Sequence, residues 1–452
     1  MNKPTKVLHV GKSCRAHILA ESLSRSRLDI ENHLVCEVEN PGLRAVSSSI
    51  VVGPCDDPEF VAGVAAEVKP DYCLPGPEEP LAAGVVDRLL EMGIPSVGPQ
   101  QALAKLEASK AFTRRLLTDF RIPGNPDYRV FEEESGVLTY LRELGEFVVK
   151  PDGLTGGKGV KVSGDHLRTA EDGLAYCHEL FAAGGAVVVE EKLLGEEFTL
   201  QSFCDGQTLA DMPPVQDHKR LEIGDRGPNT GGMGSYSCED HLLPFLSRED
   251  LRHASEINRA VAAALREKTG IPYKGVLYGS FMLTAAGVRV VEYNARFGDP
   301  EVMNVLSTLE TDFGDICQAI IEGKLDRLPV TFARRATVCK YVVPRGYPRN
   351  PVKDQRIGLP NIDNRGDDRR MYYGAVAGSA DDLRLTGSRA MAFVGMGDSL
   401  AEAERRAEAG AAAVSGPVFH RSDIGSAELI GRRVDHMRAL REAANGQVRQ
   451  FA

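Results

Sequence analysis

The sequence predicts a multidomain protein of α/β and α+β class. An open parallel α/β sheet comes first, a central segment of strands and long helices follows, and an α+β domain closes the chain. Three observations carry this. Strand-like and helix-like segments alternate over residues 1–100, as in βαβ units. At 150–160 a strand runs into the glycine-rich turn KPDGLTGGKGV and out into another strand. After about residue 328 the pattern changes to several strands and an Ala/Glu-rich helix. The expected boundaries are 1–104, 105–327 and 328–452, with a mobile lid at about 124–190.

The first unit opens on KVLHVGK, a buried strand ending at Gly11, and AHILAESLSRS, a helix. VSSSIVVGP, FVAGVAAEVK, DYCLPGPEEP and GVVDRLLEMGI continue the alternation. Ligands of such sheets sit beyond the carboxyl ends of the strands. Those ends carry Gly11–Arg15, Asn40–Gly42 and Gly76–Leu81, so Gly11, Lys12, Arg15, Asn40, Gly42, Pro77 and Glu78 are candidate contacts.

LAKLEASKAFTRRLLTDF reads as one strongly amphipathic helix, stopped near Ile122-Pro123. EFVVKP then leads into the glycine-rich turn. Glycines let backbone N–H groups converge on phosphate oxygens, and Lys158 adds charge. The mononucleotide-kinase loop is excluded, because Asp152 stands where its first glycine belongs and Gly159 where Ser or Thr belongs. A flap over phosphates and a plain surface hairpin both remain open on this stretch alone.

VVVEEKLLGEEFTLQSFCDG reads as strand, connection and strand, and residues 247–269 as a helix. QDHKRLEIGDRGPNTGGMGSYS (216–237) is a long polar loop whose glycines and Pro228 suit a fixed path around a ligand. A mobile loop is the bland alternative. In VEYNARFGDPE (291–301), Glu292 and Asn294 share a strand face, and their oxygens suit a hard cation beside phosphate. Arg296 joins that face if the strand persists, where it could hold a phosphoryl group or a carboxylate.

Composition bounds the function. The 452 residues carry a net charge of −10, which excludes bulk attraction to nucleic acid or anionic membrane. No apolar run reaches membrane-spanning length, and MNKPTKVLHVG lacks a signal-peptide core. Nine scattered cysteines without a CxxC pattern suggest small buried thiols in a reducing cytoplasm.

KPDGLTGGKGV, EEKLLGEEF, QDHKR with GPNTGGMGSYS, and VEYNARFGDPE, in this order, resemble the ATP-grasp ligases. Within them the chain resembles the glycinamide ribonucleotide synthetase (phosphoribosylamine–glycine ligase) family over essentially its whole length. GPEEPL, LEASKAFTRRLL, ATVCKYVVPRGYP and GPVFHRSDIG belong to the same likeness. The resemblance implies a pre-ATP-grasp sheet, a central ATP-grasp fold and a C-terminal domain. It implies ATP as co-substrate, Mg²⁺ or Mn²⁺, and a monomer or small homo-oligomer.

By the same likeness, Lys110 and Lys150 contact phosphates under a hairpin made by Gly153, Gly156, Gly157, Lys158 and Gly159. Glu190, Glu191 and Leu193 line the adenine, and Glu197 holds the ribose. Glu292 and Asn294 bind the metal. Asp217, Lys219 and Arg296 serve the amino-acid and phosphoryl side, and Asn229, Gly231, Gly232 and Met233 line substrate. The implied reaction activates glycine as an acyl phosphate and passes it to phosphoribosylamine, a step of purine biosynthesis.

The chain departs from the family at Gly11–His17, where the expected Glu and an extra glycine are gone, and at Ser280, where some relatives carry Gln. The first departure leaves open a divergent ligase with another amine or amino acid. A non-catalytic nucleotide-binding scaffold is disfavoured by Lys150, Glu292, Asn294 and Arg296 together.

Overall fold

The computed structural model describes residues 3–154, 156, 159–360 and 368–451. Its first sheet is wholly parallel, in the order Ser49–Val52, Ile30–Cys36, Thr5–Val10, Tyr72–Pro75. The central strand Thr5–Val10 ends in four buried residues, as a strand covered by helices on both faces requires. Its carboxyl end delivers Gly11 and the helix Ser13–Ser24.

Residues 101–119 form two helices, Gln101–Ala108 and Lys110–Asp119, where the amphipathic pattern predicts one. The break is at Ser109, whose backbone is extended (φ −138°, ψ 112°). Its Oγ accepts from the Phe112 N–H and donates to Asp152, and Asp152 also accepts from the Ala111 N–H. A carboxylate 43 positions away thus starts the second helix, stabilising its free N–H groups.

Two antiparallel sheets follow. The smaller runs Tyr128–Phe131, Val187–Glu191, Phe147–Pro151, Lys161–Val162, with the capped helix Ala170–Ala182 packed on it. The larger runs Leu209–Asp211, Gly195–Asp205, Lys274–Thr284, Gly287–Asn294, backed by the helix Arg248–Thr269. A register shift at Ser280/Phe281 leaves Val291 as an extra residue in the edge strand: Ser280 opposes Glu292 while Phe281 opposes Val290. Such bulges re-aim neighbouring groups.

The 216–237 stretch is not a loop but four short strands. Arg220–Glu222 and Arg226–Asn229 form a hairpin. Gln216–Asp217 and Gly234–Ser237 join the C-terminal sheet, whose order is Gln216–Asp217, Gly234–Ser237, Ala336–Pro344, Met391–Gly397, Arg369–Tyr373. RRMYYGAVAG likewise splits, its second half pairing with Asp382–Leu385. One continuous hydrophobic core joins the N-terminal, central and C-terminal parts, from Val7 through Phe203 and Leu277 to Tyr341 and Met396. The helix Ala427–Phe451 packs on the larger antiparallel sheet.

Candidate active site

The glycine-rich turn starts where the strand Phe147–Pro151 leaves its sheet. Lys110, first residue of its helix, donates to the Gly153 carbonyl at 2.8 Å, tying the turn's base to that helix. Gly153 (φ 129°) has open space where a Cβ would project. So has Gly156. The Gly159 carbonyl accepts from the Tyr176 hydroxyl at 2.8 Å. Gly157 and Lys158 lie outside the described residues.

Behind the turn is a buried charge cluster. Lys150 is 6% exposed and Glu190 3%, and their charges meet at 2.7 Å. Arg114, 2% exposed, holds the same carboxylate through Nε to Oε1 (2.6 Å) and Nη2 to Oε2 (2.9 Å). Arg114 also donates to the carbonyls of Val290 (3.1 Å) and Val291 (2.7 Å), and Lys150 to that of Val291 (3.1 Å). The bulge points successive carbonyls the same way, and these two cations use them. Burial opposes the Glu190 charge, but Arg114 and Lys150 overcome it and hold the carboxyl below its usual range. Burial also pushes the Lys150 ammonium down, against the pull of Glu190. Glu190 therefore spends its side chain on the cluster, while its backbone lies in a strand paired on both sides, opposite Tyr128 and Val148. Glu191 pairs with Arg289 and accepts from the Asp127 N–H, and Leu193 is half-buried in the connection that follows.

Glu292 and Asn294 stand on one face of the edge strand, opposite Ser280 and Tyr278. Neither makes a side-chain hydrogen bond to a described residue. Across from them, Glu197 accepts from Lys219 at 2.5 Å and from the Ser280 hydroxyl at 2.9 Å. Burial works against the Lys219 charge, yet Glu197, Glu292 and Asp217 outweigh it and raise its pKa. Asp217 has a buried Oδ1 with no hydrogen-bond partner among the described residues. Burial, then the Glu301 charge, pushes its carboxyl well above the usual range. Glu301 is raised too, mainly by burial, and accepts from the Tyr278 hydroxyl at 2.6 Å.

Arg296 does not continue the Glu292–Asn294 face. The strand ends at Asn294, because the Ala295 N–H donates to Glu107 (2.7 Å). Arg296 turns toward the first sheet, pairing with Glu107 (2.8 Å) and Glu78 (3.0 Å). Glu78 also faces Arg15 (3.4 Å), and Arg15 donates to the Phe297 carbonyl at 2.9 Å. Two arginines and two carboxylates thus join the first sheet's carboxyl end to the central fold. Lys12 is half-exposed and paired with Glu37 (2.9 Å). Pro77 precedes Glu78 at the start of its helix, and Gly11 is held to the Val35 carbonyl.

A third knot centres on Asp299. It accepts from Tyr341 (2.5 Å), Ser13 (3.2 Å) and Arg389 (3.2 Å). Arg389 also donates to the carbonyls of Gly231 (2.6 Å) and Gly232 (3.1 Å), fixing that turn. Met233 beside it is fully buried, and Asn229 lies in the hairpin opposite Arg220. The unusual Gly11–His17 residues serve packing here. Ser13 holds a left-handed backbone (φ 74°), Cys14 Sγ contacts the Tyr372 carbonyl (3.2 Å), and His17 Nδ1 accepts from the Tyr373 N–H (3.0 Å). Asn40 caps its helix and donates to the Gly374 carbonyl. A Cβ on Gly42 would fall 2.3 Å from the His17 ring.

Sequence reading missed Arg114, Glu107, Asp299, Glu301 and Arg389. Arg114 carried a signal, since it sits one helical turn after Lys110 on the same face. Asp299 and Glu301 lie inside a motif already singled out. Arg389 lies in a connecting segment and carried none.

Three family models match in series: the phosphoribosylglycinamide synthetase N domain over residues 5–107, its ATP-grasp (A) domain over 108–302, and its C domain over 337–427. A protein named phosphoribosylamine–glycine ligase from Methanosarcina barkeri is 46% identical over 436 residues, covering 96% of this chain and 100% of that one. One of the same name from Methanocaldococcus jannaschii is 45% identical over 444 residues, with 96% and 100% covered. Among solved structures, the Thermotoga maritima phosphoribosylamine–glycine ligase aligns with a TM-score of 0.77 at 26% identity, covering 93% of this chain and 100% of that one. The biotin carboxylase domain of Hydrogenobacter thermophilus 2-oxoglutarate carboxylase aligns at 0.72 and 13% identity, covering 97% and 94%, a likeness of fold alone.

Proposed function

Because this chain belongs to the phosphoribosylglycinamide synthetase family, its reaction is the ATP-dependent ligation of glycine to phosphoribosylamine, and we propose that Lys150, Lys219, Glu292 and Asn294 carry the activating half. The observation supporting this is the Glu292–Asn294 strand face. It offers hard oxygen donors without described side-chain partners, with the charges of Lys150 and Lys219 close by.

The donor set fits Mg²⁺. Two protein oxygens leave most positions of a six-coordinate ion to phosphate oxygens and water. When bound there, the ion supplies positive charge to the phosphates. The same oxygen donors also suit Mn²⁺.

The chain's own groups do the rest. Carboxylates acylate poorly because oxide is a poor leaving group. Glycine's carboxylate attacks the γ-phosphorus of ATP, the bond to ADP breaks, and glycyl phosphate forms. Lys150 lies beside the glycine-rich turn, placed to offset charge on the transferring group. Lys219, held by Glu197, faces the carboxylate end of glycine. Asp217, an unpartnered acceptor, faces its ammonium. The amine of phosphoribosylamine then attacks the acyl carbon, expels phosphate and leaves the amide. Arg15 and Arg296, on the first sheet's side, orient that second substrate, and closure of the turn excludes water from the acyl phosphate.

Lys219→Met tests the assignment. Phosphate release requiring ATP, glycine and phosphoribosylamine together should persist weakly, with the glycine KM raised far more than that of ATP. An unchanged glycine KM would remove Lys219 from the glycine side.

A further inference from the structure

The helix Ala427–Phe451 begins where the family's C-domain match ends, at residue 427. Its side chains nevertheless grip the central fold at two places, one of them beside the site. Arg433 pairs with Glu196 (Nη1 to Oε2, 3.1 Å) and, through its other terminal nitrogen, with Asp225. His436 Nδ1 lies 2.6 Å from the other Glu196 oxygen. Farther along, Arg441 pairs with Asp250 (3.2 Å), in the first turn of Arg248–Thr269.

Both Arg433 partners adjoin groups already assigned to the site. Glu196 is buried and precedes Glu197 on its strand, so the two carboxylates point to opposite faces. Asp225 sits at the tip of the 220–229 hairpin in a left-handed backbone (φ 56°). It accepts from the fully buried Arg421 at 2.7 Å and faces His218 Nδ1 at 3.5 Å. His218 stands between Asp217 and Lys219 in sequence and stacks on Tyr236, centroids 6.0 Å apart. One guanidinium therefore spans the strand that carries Glu197 and the hairpin joined to Lys219. A planar fork reaches two carboxylates at fixed spacing, which a lysine does not.

We propose that Arg433 is a positioning residue of the ligase: from the terminal helix it fixes Glu197 against Lys219, and so shapes the glycine site without touching substrate. This rests on the reading of Lys219 as a glycine-side group. Lys219→Met tests that reading by itself, and a selective glycine effect there with a normal Arg433 variant would defeat only the present inference.

Steady-state kinetics on the full-length chain decide it. Arg433→Met should raise the glycine KM about tenfold, a size typical of losing pairs from a coupled network, with kcat nearly unchanged and the ATP KM rising clearly less. Arg433→Lys should fall between, and Asp225→Asn should reproduce the selective rise. Combining Asp225→Asn with Arg433→Met should add little more. Arg441→Met loosens the helix elsewhere and should leave the glycine KM alone. An unchanged glycine KM in folded Arg433→Met, an equal rise for ATP, or the same effect from Arg441→Met would each overturn the inference. If Arg433→Met does not fold, Asp225→Asn decides: an unchanged glycine KM rejects it.

Discussion

Arg114 and Glu190 meet through two charge-assisted hydrogen bonds in a dry part of the fold, although 76 positions separate them. Removing the guanidinium leaves a buried carboxylate with Lys150 as its remaining cation, takes the side-chain donor from the Val290 carbonyl and leaves that of Val291 to Lys150 alone. Breaking a buried pair from one side costs about 3–5 kcal/mol. Arg114→Met should therefore lower stability by about that amount in urea unfolding. ATP affinity should fall as well, because Lys150 is drawn toward the orphaned carboxylate.

Glu292→Gln keeps the shape of the side chain and removes its charge. The Mg²⁺ concentration for half-maximal phosphate release should rise more than about tenfold, as weakened metal sites do. Unfolding should change little, since Glu292 makes no side-chain hydrogen bond to a described residue.

Gly232 has φ 105°, and a Cβ there would lie 2.6 Å from Pro300 Cδ and 2.9 Å from Asp217 Oδ1. Gly232→Ala should cost about 1–3 kcal/mol of backbone strain. Displacing Asp217 should also raise the glycine KM. Thermal unfolding and initial rates measure the two effects separately.

Burial holds the His17 imidazole at about 3, well below its ordinary value, and its Nδ1 accepts from Tyr373. The folded state keeps this ring neutral while the unfolded chain protonates below about pH 6.5. The unfolded state then binds the extra proton, so stability falls as pH drops from 6.5 toward 3, by about 1.4 kcal/mol per unit. His9, lowered to about 4 by burial, acts over an overlapping window. His17→Gln should remove its share of the slope and leave that of His9. An unchanged acid limb in urea titrations at successive pH values would contradict this.

Much of the site was legible because its motifs are local. Glu292 and Asn294 share a face by strand periodicity alone, and the glycines of 150–160 announce a turn without knowledge of their partners. What sequence missed depends on distant groups. Nothing near Ser109 says that Asp152 will split its helix. Arg296 leaves the Glu292–Asn294 face because Glu107, on the helix Gln101–Ala108, takes the backbone N–H of Ala295. Arg389 meets Asp299 only once the C-terminal sheet is assembled. The polar 216–237 stretch reads as a loop because its strands are too short to show alternation, and its two outer strands join a sheet completed 100 residues later.

That last pairing bears on how the chain could be divided. Gly234–Ser237 hydrogen-bonds along Ala336–Pro344, so the segment bearing Asp217 and Lys219 is stitched into the C-terminal sheet. A gene cut in the 303–336 interval would leave one fragment without the scaffold of Asp217 and Lys219, and the other with a bare strand edge. Co-expressed halves have a reason to find each other, and a C-terminal part exchanged with a relative would bring a new seat for the 216–237 segment. Modularity in sequence does not carry over to the catalytic unit.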